Sequence, residues 1–287
     1  MPQVYLRGFS EDQKRIWSYS LCPMDGGQFV PIESQCRENY LYEIKDKNGE
    51  IKTPNHIEKI LSGVEGYYAT NLRLLKSKAL IKTNYRTKCF LSTDEKAFWR
   101  LYVAVQMLRV PSIIATTKKV TTAFLNNLLD ENEIHNVAIT QCLPFLEELK
   151  PDAKNVFTLI LRPLLNMSIV IGVDEKDSIF TSDNPVYCYY PGTMDISQIK
   201  EYERVVLPLT PQLVLFLLGG TEKEERGHNC LFPLDDEELN AVKLATAYSA
   251  NERVYSYKRI PDNDLALIQC ARKDKKEDEV FRKGLFL

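Results

Sequence analysis

The chain has 287 residues, 44% of them hydrophobic, so it is long enough to bury one large core or two modest ones. Its 37 basic residues nearly balance its 39 acidic residues, which argues against a generally basic nucleic-acid-binding protein but does not exclude a local basic groove. No apolar run approaches the roughly 18 residues of a transmembrane helix, and the start shows no signal-peptide pattern, so we expect neither a membrane span nor a signal peptide.

Seven cysteines are scattered along the chain. Their count is odd, and no two are separated by the two residues typical of a zinc ribbon. This pattern is typical of reduced thiols in a cytoplasmic protein. We therefore expect a cytoplasmic location, with structural roles for Cys22, Cys36, Cys89, Cys142, Cys188, Cys230 and Cys270.

The first 50 residues form a β-rich start in which aromatic and polar residues alternate. This alternation predicts short strands at residues 4–6, 16–19 and 39–44. Asn48-Gly49 is a strong signal for a tight turn.

Residues 51–150 form a helical block. Apolar residues recur at three- and four-residue spacing over 57–75, 98–108, 120–129 and 134–149, which predicts four helices that pack on one another. Ser92 and Glu95 have the spacing of a capping box at the start of the second helix.

Residues 151–260 change to a strand pattern, with one helix at 235–251. Residues 156–161 fit either a helix or a strand. The predicted strands are 168–173, 179–181, 204–209, 213–218 and 254–257, and 261–287 form a charged tail. We predict a single α+β domain over 1–287, with a central helical bundle flanked by N-terminal and C-terminal strands that share one mixed or antiparallel sheet.

The polar segment Ser182-Asp183-Asn184-Pro185 lies between two apolar strands. A carboxylate at a strand end, such as that of Asp183, can bind a metal or a substrate amine, with Ser182 and Asn184 as binding groups beside it. The same residues also make an Asx turn, which accounts for their types without any ligand.

Two glutamates and two arginines are further candidates. Glu58 and Glu65 are seven residues apart and share a helix face, so with Asp183 they could form a catalytic acidic cluster around a divalent metal. A solvated helix face is the alternative. Arg7 and Arg109 could bind a substrate phosphate, or Arg109 could have a structural role by pairing with the C-terminus of its helix or with Asp183.

No complete catalytic motif is present. The three histidines lack a two-histidine helical spacing, no Gly-x-Ser-x-Gly elbow exists, and Gly219-Gly220-Thr221 is not a phosphate loop. We therefore assign no metal ligand and no cofactor, with a divalent metal as the alternative.

Tyrosine is abundant, with 15 residues. Tyr187, Tyr189 and Tyr190 lie beside Pro191-Gly192, where they could form a protein-binding surface. They could equally be half-buried strand residues.

Several segments, in order along the chain, resemble a bacterial domain-of-unknown-function family whose members open with His-His-Tyr-Val-Pro-Gln-Phe-Tyr-Leu-Arg-Asn-Phe. The segments that carry the resemblance are residues 1–10, 16–19, 38–42, 57–61, 106–111, 181–186, 208–211 and 251–255. The paired histidines of that opening have no counterpart here, so either the start is shortened or this branch lost them. Any chemistry that depends on that pair is not expected here.

Two hypotheses follow. The first is a protein-interaction or regulatory factor that binds a protein partner through residues 187–194 and self-associates, with bacterial or phage conflict as the expected setting. The second is a metal-dependent hydrolase, acting on nucleic acid in one version. The lack of the paired histidines favours the first.

Overall fold

The computed structural model describes residues 2–35, 41–81, 90–125, 128–144, 155–189, 202–220 and 229–285. Within these ranges lie eight α-helices and nine β-strands, which confirms the α+β class. The helices are α1 (Gln3–Arg7), α2 (His56–Ile81), α3 (Thr93–Leu108), α4 (Pro111–Leu125), α5 (Glu131–Cys142), α6 (Val156–Leu165), α7 (Asp236–Ser249) and α8 (Asp262–Leu285). The strands are β1 (Arg15–Ser20), β2 (Gln28–Pro31), β3 (Ser168–Val173), β4 (Thr181–Ser182), β5 (Tyr187–Tyr189), β6 (Arg204–Pro208), β7 (Leu213–Leu218), β8 (Cys230–Pro233) and β9 (Arg253–Ser256).

The strands divide between two sheets rather than one. The four-stranded sheet has the order β2-β1-β9-β4, so the N-terminal hairpin does pair with a strand from the C-terminal part of the chain. The five-stranded sheet has the order β5-β6-β7-β3-β8 and is antiparallel except for the β3–β8 pair. The segment between β4 and β5 therefore carries the chain from one sheet to the other.

The predicted strand at residues 4–6 is instead helix α1. Tyr5, Leu6 and Phe9 are all fully buried. In a strand, the adjacent residues Tyr5 and Leu6 would point to opposite faces, whereas a helical turn brings Tyr5 and Phe9, four residues apart, to the same side. The Tyr5 hydroxyl also donates to the backbone oxygen of Pro208, which fixes α1 against the five-stranded sheet. Tertiary contacts thus override the β propensity of this aromatic segment.

The predicted strand at residues 39–44 is not formed at 41–44, which the structure describes without a strand. Residues 39 and 40 lie outside the described residues. The Tyr42 side chain instead donates a hydrogen bond to the backbone oxygen of Arg109 at 2.7 Å. The turn predicted at Asn48-Gly49 is present, with Gly49 at a φ of 81°.

The helical predictions agree better with the structure. The capping box is formed at the start of α3, where the Ser92 hydroxyl accepts the Glu95 N–H and the Glu95 carboxylate accepts the Ser92 N–H. The ambiguous segment 156–161 is helical because the Asn155 side chain caps α6 by accepting the Thr158 N–H. The charged tail continues as α8. Within the described ranges, no helix combines the length and the apolar character that crossing a bilayer requires.

The five-stranded sheet is covered by helices on both faces. Cys188 of β5 points its sulfur toward Met107 of α3, with 3.8 Å between the sulfur atoms. Tyr187 and Tyr189 alternate with Cys188 and so lie on the opposite face, where α7 packs against β5 and β6. A second apolar cluster joins the four-stranded sheet to α8 through Tyr19, whose hydroxyl accepts the Ile260 N–H at 2.7 Å.

The position of Cys188 predicts unequal thiol reactivity. Cys188 is only partly exposed, and burial of its thiol raises the pKa to about 12, whereas Cys22 and Cys270 are exposed. Because the thiolate is the nucleophile, we expect iodoacetamide at pH 8 to label Cys22 and Cys270 in the folded protein and Cys188 only in urea. Mass-spectrometric peptide mapping measures this, and equal labelling rates at Cys188 and Cys22 would contradict the packing of β5 on α3.

Candidate functional site

Asp183 lies directly after β4, and its carboxylate accepts hydrogen bonds from backbone N–H groups. Its carboxylate accepts the N–H groups of Asn251 and Glu252 at 2.8 Å each and that of Arg253 at 3.3 Å. Burial raises the pKa of Asp183 above its ordinary value, although these three hydrogen bonds oppose the shift. The carboxylate therefore anchors the connection between α7 and β9.

Ser182 and Asn184 complete this anchor. The Ser182 hydroxyl donates to the backbone oxygen of Asn184 at 2.8 Å, and the Asn184 amide donates to the backbone oxygen of Ser249 at 3.0 Å. Ser249 is the last residue of α7 and returns a hydrogen bond from its hydroxyl to the Asn184 oxygen at 2.7 Å. These bonds are those of a turn joined to a helix end, as the second interpretation of this segment expects.

Glu58 and Glu65 lie on α2, close to Arg109, which directly follows α3. The Glu65 carboxylate accepts a hydrogen bond from the Arg109 guanidinium at 3.1 Å, and Arg109 is only 6% exposed. Burial raises the pKa of the Glu58 carboxyl, and the Glu65 charge adds to this, while the Arg109 charge opposes it. Arg109 thus forms an ion pair with Glu65, which was not among the partners predicted for it.

The three predicted catalytic carboxylates do not gather at one place. In the part of the chain that the structure describes, no group of three or more histidine, cysteine, aspartate or glutamate side chains could hold a metal ion. The Asp183 carboxylate is occupied by backbone N–H groups, and that of Glu65 is paired with Arg109. Arg7, the other predicted cation, is exposed at the end of α1.

A buried polar row on α3 was not predicted in full. Tyr102, Gln106 and Arg109 follow one another at spacings of four and three, so they share a helix face, and all three are buried. The Tyr102 hydroxyl, the Gln106 side-chain nitrogen and the Arg109 Nε have no hydrogen-bond partner among the described residues. Such groups in protein interiors are typically bonded to internal water. The glutamine within an otherwise apolar stripe was the available signal.

Four distant segments meet around this row. The Tyr68 ring of α2 stacks on the Tyr102 ring with 4.4 Å between centroids. The Tyr68 hydroxyl donates to the backbone oxygen of Leu209, and the Tyr5 hydroxyl lies 2.8 Å from that of Thr181. Residues from 1–10, 181–186 and 208–211, which all carry the family resemblance, thus lie in one buried network with Tyr68 and Tyr102.

Tyr187 and Tyr189 line a cavity of about 660 Å³ between the five-stranded sheet and helices α7 and α8, here named the aromatic groove. The Tyr187 ring meets the Tyr248 ring edge to face, with centroids 5.9 Å apart. The rings of Phe216 and Phe232 lie 5.7 Å apart on the sheet side. Tyr189 is 46% exposed at the edge of the groove, while Tyr190 and the following residues to 201 lie outside the described residues.

The aromatic groove carries more negative than positive charge. Among its described lining residues, one guanidinium, that of Arg204, stands against four carboxylates, those of Asp235, Glu237, Glu238 and Asp274. Three of these acidic residues lie at the start of α7, where Asp235 and Glu238 form a capping box. The lining comes from β5, β6, β7, β8, α7 and α8, so the short strands β5 and β8, which the sequence pattern did not reveal, are essential to its shape.

Gly172 shapes the floor of the groove without lining it. A Cβ atom at this position in β3 would lie 2.8 Å from both a Phe216 ring carbon and a Leu234 methyl. Only glycine lets the Phe216 ring pack against the backbone of β3 here.

Removal of the Asp183 carboxylate tests its anchoring role. We expect Asp183→Ala to lower the free energy of unfolding by about 1–3 kcal/mol, because it leaves three backbone N–H groups without their acceptor. Asp12 is a matched control, since its carboxylate also accepts two backbone N–H groups but is exposed. Water can replace the carboxylate there, so Asp12→Ala should have a smaller effect in urea denaturation. An equal loss in both variants would contradict the anchor.

The Arg109–Glu65 pair offers a second test. We expect Glu65→Met to cost about 3–5 kcal/mol of stability, because it leaves a buried guanidinium without its counter-charge. Addition of Arg109→Met should recover part of that loss, which a double-mutant cycle measures. The Lys176–Asp236 pair is shorter, at 2.6 Å, but exposed, and Asp236→Ala should change stability little. Strict additivity of Glu65→Met and Arg109→Met would contradict the pairing.

Comparison with known proteins gives one match. No curated protein and no solved structure matches the chain. One family model covers residues 1–259, which is most of the chain and confirms the family resemblance seen in the sequence. The chain therefore belongs to the family described as protein of unknown function (DUF4238).

Proposed function

We propose that this chain is a protein-interaction factor that binds a segment of a partner protein in the aromatic groove. The observation that carries the proposal is the position of Tyr187 and Tyr189, which line a groove of about 660 Å³ instead of a closed core. Tyrosine combines a large apolar ring with a polar tip, and aromatic side chains are enriched in protein interfaces.

The exposure of the groove supports a protein partner. Tyr189 is 46% exposed and Leu244, on the α7 side, is 39% exposed, so apolar side chains of the rim face solvent. β5 is an edge strand of the five-stranded sheet. Exposed apolar groups around a recess beside a sheet edge suit an extended or helical segment that covers the rim as well as the floor.

The charges define the chemistry of the partner segment. Four carboxylates against one guanidinium among the described lining residues favour a cationic ligand. The rings of Tyr187, Tyr248 and Phe216 favour apolar side chains, and a Lys or Arg over a ring adds a cation–π contact. We infer a partner segment in which a basic residue lies next to aromatic or aliphatic residues.

A cytoplasmic setting is part of this proposal. In the described ranges, Cys22, Cys142, Cys188 and Cys270 are free thiols. Free thiols are typical of reducing compartments. A role in bacterial or phage conflict stays a prediction.

A phage-displayed random peptide library tests the proposal. We expect panning against the protein to enrich peptides that carry Lys or Arg beside apolar residues. Their synthetic forms should bind at least about tenfold more weakly to Tyr189→Ser and to Leu244→Arg, which remove a ring and add a repelling charge. Fluorescence polarisation measures the affinities, and increasing salt should weaken binding.

Two exposed residues outside the groove supply matched controls. Tyr67 is 69% exposed and Leu74 is 47% exposed, both on α2. Tyr67→Ser and Leu74→Arg should leave peptide affinity unchanged. Enrichment of acidic peptides, or equal weakening by groove and control variants, would refute the groove as the binding site.

A further inference from the structure

Helix α4 exposes an apolar surface, here named the α4 stripe. Val120 and Phe124 are four residues apart and share one helix face, and Leu128 follows in the turn beyond the helix. Val120 is 52% exposed, Phe124 80% and Leu128 77%. A phenylalanine and a leucine so exposed on neighbouring turns indicate a contact surface, because isolated exposed apolar residues are ordinary but a group of them is not.

The charge of α4 is entirely positive. The helix contains Lys118 and Lys119 and no acidic residue. The Lys118 ammonium pairs with Glu131 of α5 at 3.3 Å, whereas Lys119 is exposed next to Val120. The α4 stripe therefore combines a basic residue with aromatic and aliphatic residues, the chemistry that the aromatic groove selects.

Charge decides between the possible ways of pairing two copies. Stripe against stripe would bring the Lys119 ammonium groups of the two copies together, and groove against groove would bring the carboxylates of Glu237 and Asp274 together. Stripe against groove brings opposite charges together. Phe124 is 80% exposed in its own chain, so it does not fill its own groove.

We propose that the α4 stripe of one copy docks in the aromatic groove of a second copy, with Phe124 among the groove rings and Lys119 at the acidic rim. This inference rests on the proposed function and names the partner as the chain itself. The contact is heterologous, so each copy offers one free stripe and one free groove, and association continues beyond a dimer or closes a ring.

The area indicates a weak association. A phenylalanine side chain buries about 150–250 Å². With one valine and one leucine added, the contact lies below the roughly 1,200–2,000 Å² that stable specific interfaces bury in total, in the range of weak and transient ones. We therefore expect micromolar affinity and fast exchange.

Two variants that each lose one surface test the proposal. Phe124→Glu removes the stripe, since its carboxylate meets an acidic groove, and Leu244→Arg blocks the groove. In sedimentation velocity, the wild type should form species larger than a dimer as concentration rises. Each variant alone should stay monomeric, and an equal mixture should form a one-to-one dimer and nothing larger, because only one intact stripe–groove pair remains.

Exposed leucines elsewhere supply the controls. Leu165 on α6 is 49% exposed and Leu74 on α2 is 47% exposed. Leu165→Glu and Leu74→Arg should associate like the wild type. Circular dichroism melts confirm that Phe124→Glu and Leu244→Arg stay folded, as expected for exposed positions.

Three outcomes would overturn the inference. They are a wild type that stays monomeric, a Leu244→Arg variant that still dimerises through its stripe, and a mixture that fails to form the dimer. The peptide-library result separates this failure from that of the proposed function. If selected peptides still bind the groove, the partner is another protein; if no peptide binds, both proposals fail.

Discussion

The carboxylate of Asp183 fixes helix α7 relative to both sheets. Asp183 follows β4 of the four-stranded sheet, and only three residues separate it from β5 of the five-stranded sheet. From that crossing point its carboxylate accepts the N–H groups of Asn251, Glu252 and Arg253, which lead from α7 into β9. The Asn184 amide in turn donates to the backbone oxygen of Ser249 at the end of α7. Since α7 forms one wall of the aromatic groove, this turn sets the width of the surface that we propose to bind a partner.

Helix α3, which carries most of the buried polar row, packs on the face of the five-stranded sheet opposite to the aromatic groove. The groups of this row are costly to bury, at about 1–3 kcal/mol for each unpaired donor, so the interior must supply water or the Arg109–Glu65 charge pair. The rings of Tyr5, Tyr68 and Tyr102 bring α1, α2 and α3 together. The Tyr5 and Tyr68 hydroxyls also donate hydrogen bonds to backbone oxygens at the end of β6. Segments that are far apart in the sequence therefore depend on one centre, which explains why an aromatic stretch at residues 4–6 becomes helical.

Local signals in the sequence predicted most elements but not the groove. The capping box of Ser92 and Glu95 and the apolar run of β7 depend on neighbours within a few residues, and both were found. β5 and β8 have three and four residues, too few for a period to show. The groove unites side chains from residues 187 to 274, and the sequence pointed only to Tyr187 and Tyr189 through their pattern. For Asp183, the sequence left a choice between turn and ligand, and it could not show that backbone N–H groups about 70 residues away are the partners of its carboxylate.

The shape and the charge of the groove have separate origins. The shape follows from the sheet, because a glycine at position 172 lets the Phe216 ring lie against β3, and a methyl group there would push that ring toward α7. The charge follows from the first turn of α7, where Asp235, Glu237 and Glu238 also favour the helix N-terminus. Acidic residues at the start of a helix are thus also the source of the negative charge from which we propose a cationic partner. The proposed self-association relies on both origins, with the Phe124 ring offered to the aromatic side chains of the groove and the Lys119 ammonium offered to its carboxylates.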